Sequence, residues 1–190
     1  RFGEIYDGRL EMAGWNNIGF DDSTWKFAER APQPRGEKRL CTAEPIGVVR
    51  ELKPVSVTKT EKGYLYDFGV NTAGVCRLCV HGEPDQRIEL QHGERLKGGL
   101  PDMENIWFKR EHWARDLEYV HKDVYVCRGD GEEVYTPTFT YHGFRYVLVS
   151  GITEAQATEE LITALEMHSL LEERGGFSCS DETANKLQQM

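Results

Sequence analysis

The sequence has little positive charge and no long apolar run. Lys and Arg together number 23 against 32 Asp and Glu, which gives a formal net charge of −9. Nucleic acids and anionic membrane surfaces attract proteins through basic patches, and this charge balance does not supply one. No stretch approaches the roughly 20 apolar residues that span a bilayer. The sequence therefore predicts neither a nucleic-acid partner nor a membrane partner.

The cysteine pattern is not that of a disulfide framework. The chain has five cysteines, an odd number, at Cys41, Cys76, Cys79, Cys127 and Cys179. Reduced thiols are the simplest interpretation, and they favour a reducing, cytoplasmic setting. The spacing of Cys76 and Cys79 is that of a metal or redox pair, but the surrounding GVCRLCV indicates a strand, on which residues three apart face opposite ways. We therefore predict buried thiols that act as small hydrophobic groups, with no metal and no cofactor.

The clearest secondary-structure signal lies in residues 136–151, TPTFTYHGFRYVLVSG. Phe144, Tyr146 and Leu148 alternate with Arg145, Val147 and Val149, which is the period of a β-strand. Both faces carry large apolar side chains, so we expect a central strand that is covered on both sides. With 39% apolar residues and 19 glycines in the chain, the composition suits an all-β domain with many turns.

Further strands are predicted on either side of it. Residues 48–52 and 55–59 are short and rich in β-branched side chains, and Pro54 separates them. In RIELQHGERL, Ile88, Leu90 and His92 alternate with more polar neighbours, which predicts a strand with one wet face.

Several turns are also predicted. Residues 69–74 are expected to form a loop between two strands, and residues 129–131, Gly-Asp-Gly, a hairpin turn. Asp21-Asp22-Ser23 is typical of a turn in which a carboxylate accepts a backbone N–H. A calcium site at Asp21 and Asp22 is the alternative, but the spaced oxygen ligands of a calcium loop are missing.

Five ordered blocks of the sequence resemble bacterial α-L-rhamnosidases of the inverting glycoside hydrolase type. They are GEIYDGRLEMAGWNNIGFDDSTW (residues 3–25), AEPIGVVRELKPVSV (43–57), YLYDFGVNTAGVCRLCV (64–80), FTYHGFRYVLVSG (139–151) and GGFSCSDETANKL (175–187). The resemblance implies an antiparallel β-sandwich of the jelly-roll or concanavalin-like type with a short helical C-terminal segment. It also implies that the catalytic acid and base lie in an (α/α)6 helical barrel that follows these blocks. We therefore expect a fragment whose partners are that barrel and the N-terminal domain of the same parent chain.

The same resemblance divides the chain into three parts. Residues 1–40 would close a preceding N-terminal β-rich module and lead out of it. Residues 41–172 would form the β-sandwich domain, and residues 173–190 a linker and the first helix of the barrel. One segment is ambiguous: LITALEMHSLL, residues 161–171, favours a helix by propensity, whereas the resemblance makes it a strand that completes the sandwich. We predict the strand.

Two functions from different classes remain open at this point. The first is a non-catalytic sandwich that supports the barrel of an enzyme hydrolysing terminal α-L-rhamnosides. The second is a carbohydrate-binding module that stacks a rhamnose-containing carbohydrate on Trp107, Trp113 or Trp15. The chain has many acids, including Glu94, Asp102, Glu104 and Glu111. No spacing identifies a catalytic pair among them, and we expect an acid-rich surface. An independent enzyme is the weakest hypothesis. His92 and His142, each on or beside a strand, are expected to be hydrogen-bonded structural residues.

Overall fold

A computed structural model describes residues 3–33, 35–105 and 121–189, and strands are the main regular secondary structure in these ranges. The strands are β1 (Ile5–Asp7), β2 (Ile46–Leu52), β3 (Ser56–Thr60), β4 (Gly63–His81), β5 (Arg87–Gly93), β6 (Leu96–Lys97), β7 (Leu100–Pro101), β8 (Lys122–Val126), β9 (Glu132–Tyr135), β10 (His142–Ser150) and β11 (Ile162–Ser169). One α-helix, α1 (Glu182–Gln189), ends the described part, and two single 3₁₀ turns cover Gly8–Leu10 and Met103–Asn105. None of the described helices is long and apolar enough to cross a membrane.

Nine of the strands form one sheet that is organised around β4. Its main path runs β1, β8, β5, β10, β4, β11, β2, and both β3 and β9 also pair with β4. Only β1 and β8 run parallel, and the other described pairs are antiparallel. Strand β10 lies between β4 and β5, as a central strand should. The all-β class and the antiparallel character of the sandwich are confirmed.

The predicted loop at residues 69–74 is wrong, because those residues belong to the 19-residue strand β4. Gly69, at a φ of 76°, adopts the left-handed backbone that glycine tolerates, and the pairing with β10 shifts register between Phe144 and Tyr146. Asp67 fixes the irregularity: its carboxylate accepts the Gly69 N–H at 2.7 Å and two guanidinium N–H groups of Arg145 at 2.8 and 2.9 Å. Side-chain bonds thus replace part of the ladder, and the chain bends without leaving the sheet.

The bend in β4 places its two halves in different parts of the curled sheet. Its first half pairs with β3 and β10, and its second half with β9 and β11. Inward side chains from both halves join one apolar core. The core comprises Tyr66, Phe68, Cys76, Leu78, Val80, Ile88, Leu90, Tyr125, Cys127, Tyr135, Phe144, Val147, Val149, Leu161, Ile162 and Ala164. The predicted burial holds for Cys76, whereas Cys79 of the same pair is only half-buried. Both are free thiols, and Cys127 is also buried in the core.

The ambiguous segment is a strand. Strand β11 pairs with β4 on one side and with β2 on the other, and it buries Ile162 and Ala164 in the core. Tertiary pairing therefore overrides the helix propensity of this segment. The preceding residues, 154–160, form turns. At the C-terminal end, Asp181 caps α1 by accepting the N–H groups of Thr183 and Ala184 at 2.8 and 3.2 Å.

The predicted hairpin at residues 129–131 is also wrong, because the strands on either side of it do not pair with each other. Strand β8 pairs with β1 and β5, whereas β9 pairs with β4. The turn therefore connects two strands that pair with different neighbours in the sheet, and hydrogen bonds to the buried Glu133 stabilise it. Its carboxylate accepts the Tyr125 hydroxyl at 2.8 Å and the N–H groups of Arg128 and Gly129 at 2.8 and 3.0 Å.

Replacing Glu133 with glutamine is expected to lower the free energy of unfolding by about 2 kcal/mol. The side-chain NH₂ of glutamine would face groups that are themselves hydrogen-bond donors. The bonds that these donors make to the carboxylate of Glu133, each worth about 1.5–3 kcal/mol, would therefore be lost or weakened. The measurement is urea unfolding at neutral pH. Glu132→Gln is the matched control, since Glu132 lies beside Glu133 on the exposed face of β9. Equal losses in the two variants would contradict the assigned role of Glu133.

Candidate functional site

The tryptophans predicted to stack sugars are only partly within the described structure. Trp15 is 56% exposed and lies in a turn, where its backbone N–H donates to the Met12 carbonyl at 3.2 Å. Trp107 and Trp113 fall outside the described residues. In the same segment the Phe20 and Trp25 rings pack on each other, with centroids 5.7 Å apart. Asp21 accepts the Ser23 N–H at 3.0 Å, which is the predicted turn.

More than half of the exposed large apolar side chains in the described ranges lie in two regions. The first is the turn-rich segment between β1 and β2, with Leu10, Met12, Trp15, Ile18, Trp25, Phe27 and Leu40. The second is the sheet edge formed by β2 and the residues after β11, with Ile46, Val48, Val49, Leu170 and Leu171. At this edge the Leu170 N–H donates to the Pro45 carbonyl at 2.9 Å, which keeps the chain after β11 beside β2. We call these two regions together the apolar surface.

The acids considered for catalysis do not form a pair in the described structure. Glu94 accepts the Asn71 side-chain amide at 3.2 Å, and Glu104 accepts a bond from Lys97 at 2.7 Å. Asp102 lies 3.8 Å from the Arg95 guanidinium. Glu111 lies outside the described residues. Each described acid thus interacts with an amide or a cation instead of facing a second carboxyl group, as the surface interpretation predicts.

A buried polar cluster lies at one end of the core, where three neighbouring strands meet. His92 is near the end of β5, Asp123 is in β8 and His142 begins β10. All three are at most 2% exposed. Strand β5 lies between β8 and β10, so residues far apart in sequence are brought side by side. We call this group the His–Asp–His cluster.

The hydrogen bonds of the cluster fix its proton positions. Asp123 Oδ2 accepts a bond from His142 Nε2 at 2.9 Å, and Asp123 Oδ1 accepts the Glu4 N–H, also at 2.9 Å. His92 Nδ1 lies 3.1 Å from the carbonyl oxygen of His121, which can only accept, so this nitrogen carries the proton. His92 Nε2 is then a bare lone pair. It is buried and has no partner among the residues that the structure describes.

Ring stacking completes the cluster. The His92 and His142 rings stack with centroids 4.2 Å apart, and the Phe144 ring meets His92 edge-on at 4.9 Å. The His121 ring lies 5.3 Å from that of His142, and its Nδ1 is likewise buried without a partner in the described ranges. The cluster is therefore rigidly packed on its apolar side.

Burial controls the titration of the cluster. Together with the nearby His142, it lowers the pKa of His92 to about 3. Burial and His142 also lower the pKa of His121 to about 4. Burial alone would raise the pKa of Asp123, but the bond from His142 and the Glu4 N–H, with the charges of the histidines, outweigh it and hold the pKa below its usual range. At neutral pH, Asp123 is an anion and His92 is neutral.

Sequence reasoning identified His92 and His142 correctly as hydrogen-bonded structural residues but missed Asp123 and His121 as their neighbours. A signal for Asp123 was present: in KDVYV it shares the inward face with Tyr125, just as His92 shares one with Leu90. Because the cluster is sealed from solvent, it cannot contact a bulky substrate, and its chemistry is limited to hydrogen bonding, proton uptake and ligation of small ions.

Comparison with known proteins gives two family matches. Residues 57–168 match the family model of the bacterial alpha-L-rhamnosidase concanavalin-like domain, and residues 2–50 match that of the alpha-L-rhamnosidase N-terminal domain. An alpha-L-rhamnosidase of Formosa agariphila is 34% identical over 191 residues, covering 97% of this chain and 19% of the relative. The chain thus spans about a fifth of the length of the curated relatives that it matches.

Solved structures give the same result. The alpha-L-rhamnosidase from Dictyoglumus thermophilum superposes with a TM-score of 0.83 at 36% identity, covering 98% of this chain and 20% of that one. The Streptomyces avermitilis alpha-L-rhamnosidase, solved with L-rhamnose, has a TM-score of 0.84 at 32% identity, with 98% and 17% covered. The fold described above is therefore shared with part of these enzymes.

Proposed function

The chain belongs to the family of bacterial alpha-L-rhamnosidase concanavalin-like domains, and from this premise we propose that it is a non-catalytic sandwich that supports a catalytic helical barrel in the same parent chain. In that parent the barrel hydrolyses terminal α-L-rhamnosides with inversion, and both of its catalytic carboxyl groups lie outside this sequence. Residues 1–40 then end an N-terminal module, residues 41–172 form the supporting sandwich, and residues 173–190 lead into the barrel.

The observation that carries this proposal is the apolar surface. Ile46 on the edge strand β2 is 60% exposed, and Phe27 and Leu40 are almost fully exposed. Soluble domains rarely expose such side chains in numbers unless another surface covers them. A sugar-binding platform needs an aromatic face beside convergent polar groups. The apolar surface is instead dominated by aliphatic side chains, which favours contact with another domain.

Two assays on the chain of residues 1–190 test the absence of catalysis and sugar binding. One follows hydrolysis of a chromogenic α-L-rhamnoside, and the other follows tryptophan fluorescence during titration with L-rhamnose and with a rhamnose-containing oligosaccharide. We expect neither turnover nor saturable quenching. Turnover would overturn the non-catalytic assignment. Saturable quenching that is lost in Trp15→Ala, Trp107→Ala or Trp113→Ala would establish the carbohydrate-binding module instead.

A chimera tests the supporting role. In the chimera, this chain replaces the matching fifth of the Formosa agariphila relative. The thermal midpoint and the activity of the chimera are compared with those of the same chimera carrying Ile46→Asp. We expect the substitution to destabilise the chimera while changing the isolated chain by no more than about 0.5 kcal/mol, as for other exposed sites. Val134→Asp is the matched control, since Val134 is 57% exposed on β9, away from the apolar surface. If both substitutions have the same effect on the chimera, the β2 edge is not the docking face.

A further inference from the structure

The His–Asp–His cluster contains a nitrogen whose position hydrogen bonding does not explain. His92 Nε2 is fully buried, has its lone pair available, and meets no donor among the described residues. A buried acceptor left unsatisfied costs about 1–3 kcal/mol, so such atoms require an explanation, commonly a water or an ion. The other ring nitrogen of His92 is held by the His121 carbonyl. This arrangement, with one nitrogen tied to a backbone carbonyl and the other aimed inward, is the usual state of a metal-binding histidine.

Two further residues with ligand atoms lie close to His92. One ligand atom from each of His92, Asp123 and His142 can be chosen so that all three lie within 4.8 Å of one another. Asp123 is ionised and is anchored through its other oxygen by the Glu4 N–H. Two imidazoles and one carboxylate suit zinc and neighbouring divalent transition metals, whereas calcium and magnesium prefer sets made of oxygen atoms alone.

We propose that His92 Nε2, Asp123 Oδ2 and His142 Nε2 bind a divalent transition metal ion, with zinc as the best match to this ligand set. The site joins β5, β8 and β10 at the end of the core. Its role is structural, because a buried ion between three strands is bound by the folded chain and not by the unfolded one.

Binding requires a small rearrangement that the geometry permits. The ligand spread of up to 4.8 Å exceeds the roughly 3.4 Å between ligand atoms that tetrahedral bonds of about 2.0–2.1 Å give, so the ion draws the three groups together. The hydrogen bond from His142 to Asp123 is replaced by two bonds to the metal. The proton on His142 Nε2 then moves to Nδ1, which leaves the Nε2 lone pair free to bind the metal.

Equilibrium dialysis of the chain of residues 1–190 against zinc, with metal analysis of the protein, tests the proposal. The starting protein is a Cys41→Ser/Cys179→Ser variant, because these two exposed thiols are competing zinc ligands. We expect one zinc per chain and a thermal midpoint that rises with zinc concentration. His92→Gln and Asp123→Asn should each lower zinc affinity by about 100-fold or more, since loss of an outer partner alone costs 10–100-fold. His168→Gln, at an exposed histidine, is the matched control and should bind as the starting protein does.

Cobalt supplies a readout that does not depend on the folding of any ligand variant. Co²⁺ bound to the starting protein should give the visible spectrum of nitrogen and oxygen ligation without a thiolate charge-transfer band. Binding of no more than about a tenth of an equivalent of zinc would overturn the proposal, and a water would then satisfy His92 Nε2. Binding that survives His92→Gln, or a thiolate band in the cobalt spectrum, would overturn it equally.

Discussion

Replacement of Phe144 by alanine is expected to lower the free energy of unfolding by about 3–5 kcal/mol, as for other fully buried aromatic side chains. Phe144 is 0% exposed on the central strand β10. Its ring meets Phe68 edge-on with centroids 5.9 Å apart and closes the apolar side of the His–Asp–His cluster through His92. The truncation would therefore leave a cavity between the core and buried polar groups, where the surroundings have little freedom to collapse.

Urea unfolding at pH 7.5 measures this loss. The matched control is Phe139→Ala, which removes the same atoms from a ring that is 90% exposed and should change stability by no more than about 0.5 kcal/mol. Phe144→Leu, which keeps much of the volume, should cost clearly less than the alanine variant. A loss below about 1 kcal/mol in Phe144→Ala would show that this end of the core is not closely packed.

Strands in which apolar and polar residues alternate regularly could be predicted from the sequence, because the alternation indicates which face is buried. In β5, Ile88, Leu90 and His92 face inward, as the alternation predicts, and β10 buries Leu148 on one face as well as Val147 and Val149 on the other. Strand β11 was a harder case, because its residues favour helix locally. The family resemblance decided it correctly, since the pairing of β11 with β4 and β2 is a property of the whole sheet.

What sequence reasoning missed depends on contacts between distant residues. The glycines of β4 indicate a break, yet bonds from Arg145 to Asp67 and the neighbouring strands keep that chain in the sheet. Gly129 and Gly131 indicate a hairpin, yet the bonds to Glu133 turn the chain across the core instead. The His–Asp–His cluster was missed for the same reason. Its members are separated by tens of residues, and only the order β8, β5, β10 brings them together.

We expect the free energy of unfolding of the metal-free protein to decrease as the pH falls from about 6.5 towards 4. Most of this pH range lies above the pKa values of ordinary carboxyl groups. Burial and His142 lower the pKa of His92 to about 3 in the folded chain, against about 6.5 when it is unfolded, and Asp123 offsets this effect only in part. Between these values the unfolded state binds a proton that the folded state does not, so stability rises with pH and falls on acidification. His92 alone gives a slope of about 1.4 kcal/mol per pH unit. His121, which faces His142 and Glu94 and has a pKa of about 4, adds a smaller amount because it is only half-buried.

Urea unfolding in EDTA at half-unit steps from pH 8 to pH 5 measures this slope. His92→Gln should flatten it by about 1 kcal/mol per unit below pH 6, because glutamine binds no proton in either state. His168→Gln should leave it unchanged, since His168 is exposed on β11 and is not part of the His–Asp–His cluster. A profile that is flat between pH 6.5 and 5 would mean that His92 takes up a proton inside the fold. Asp123, a member of the same cluster, would then have to stabilise the positive charge on His92. The buried histidine pair would carry a positive charge in the folded protein instead of being neutral.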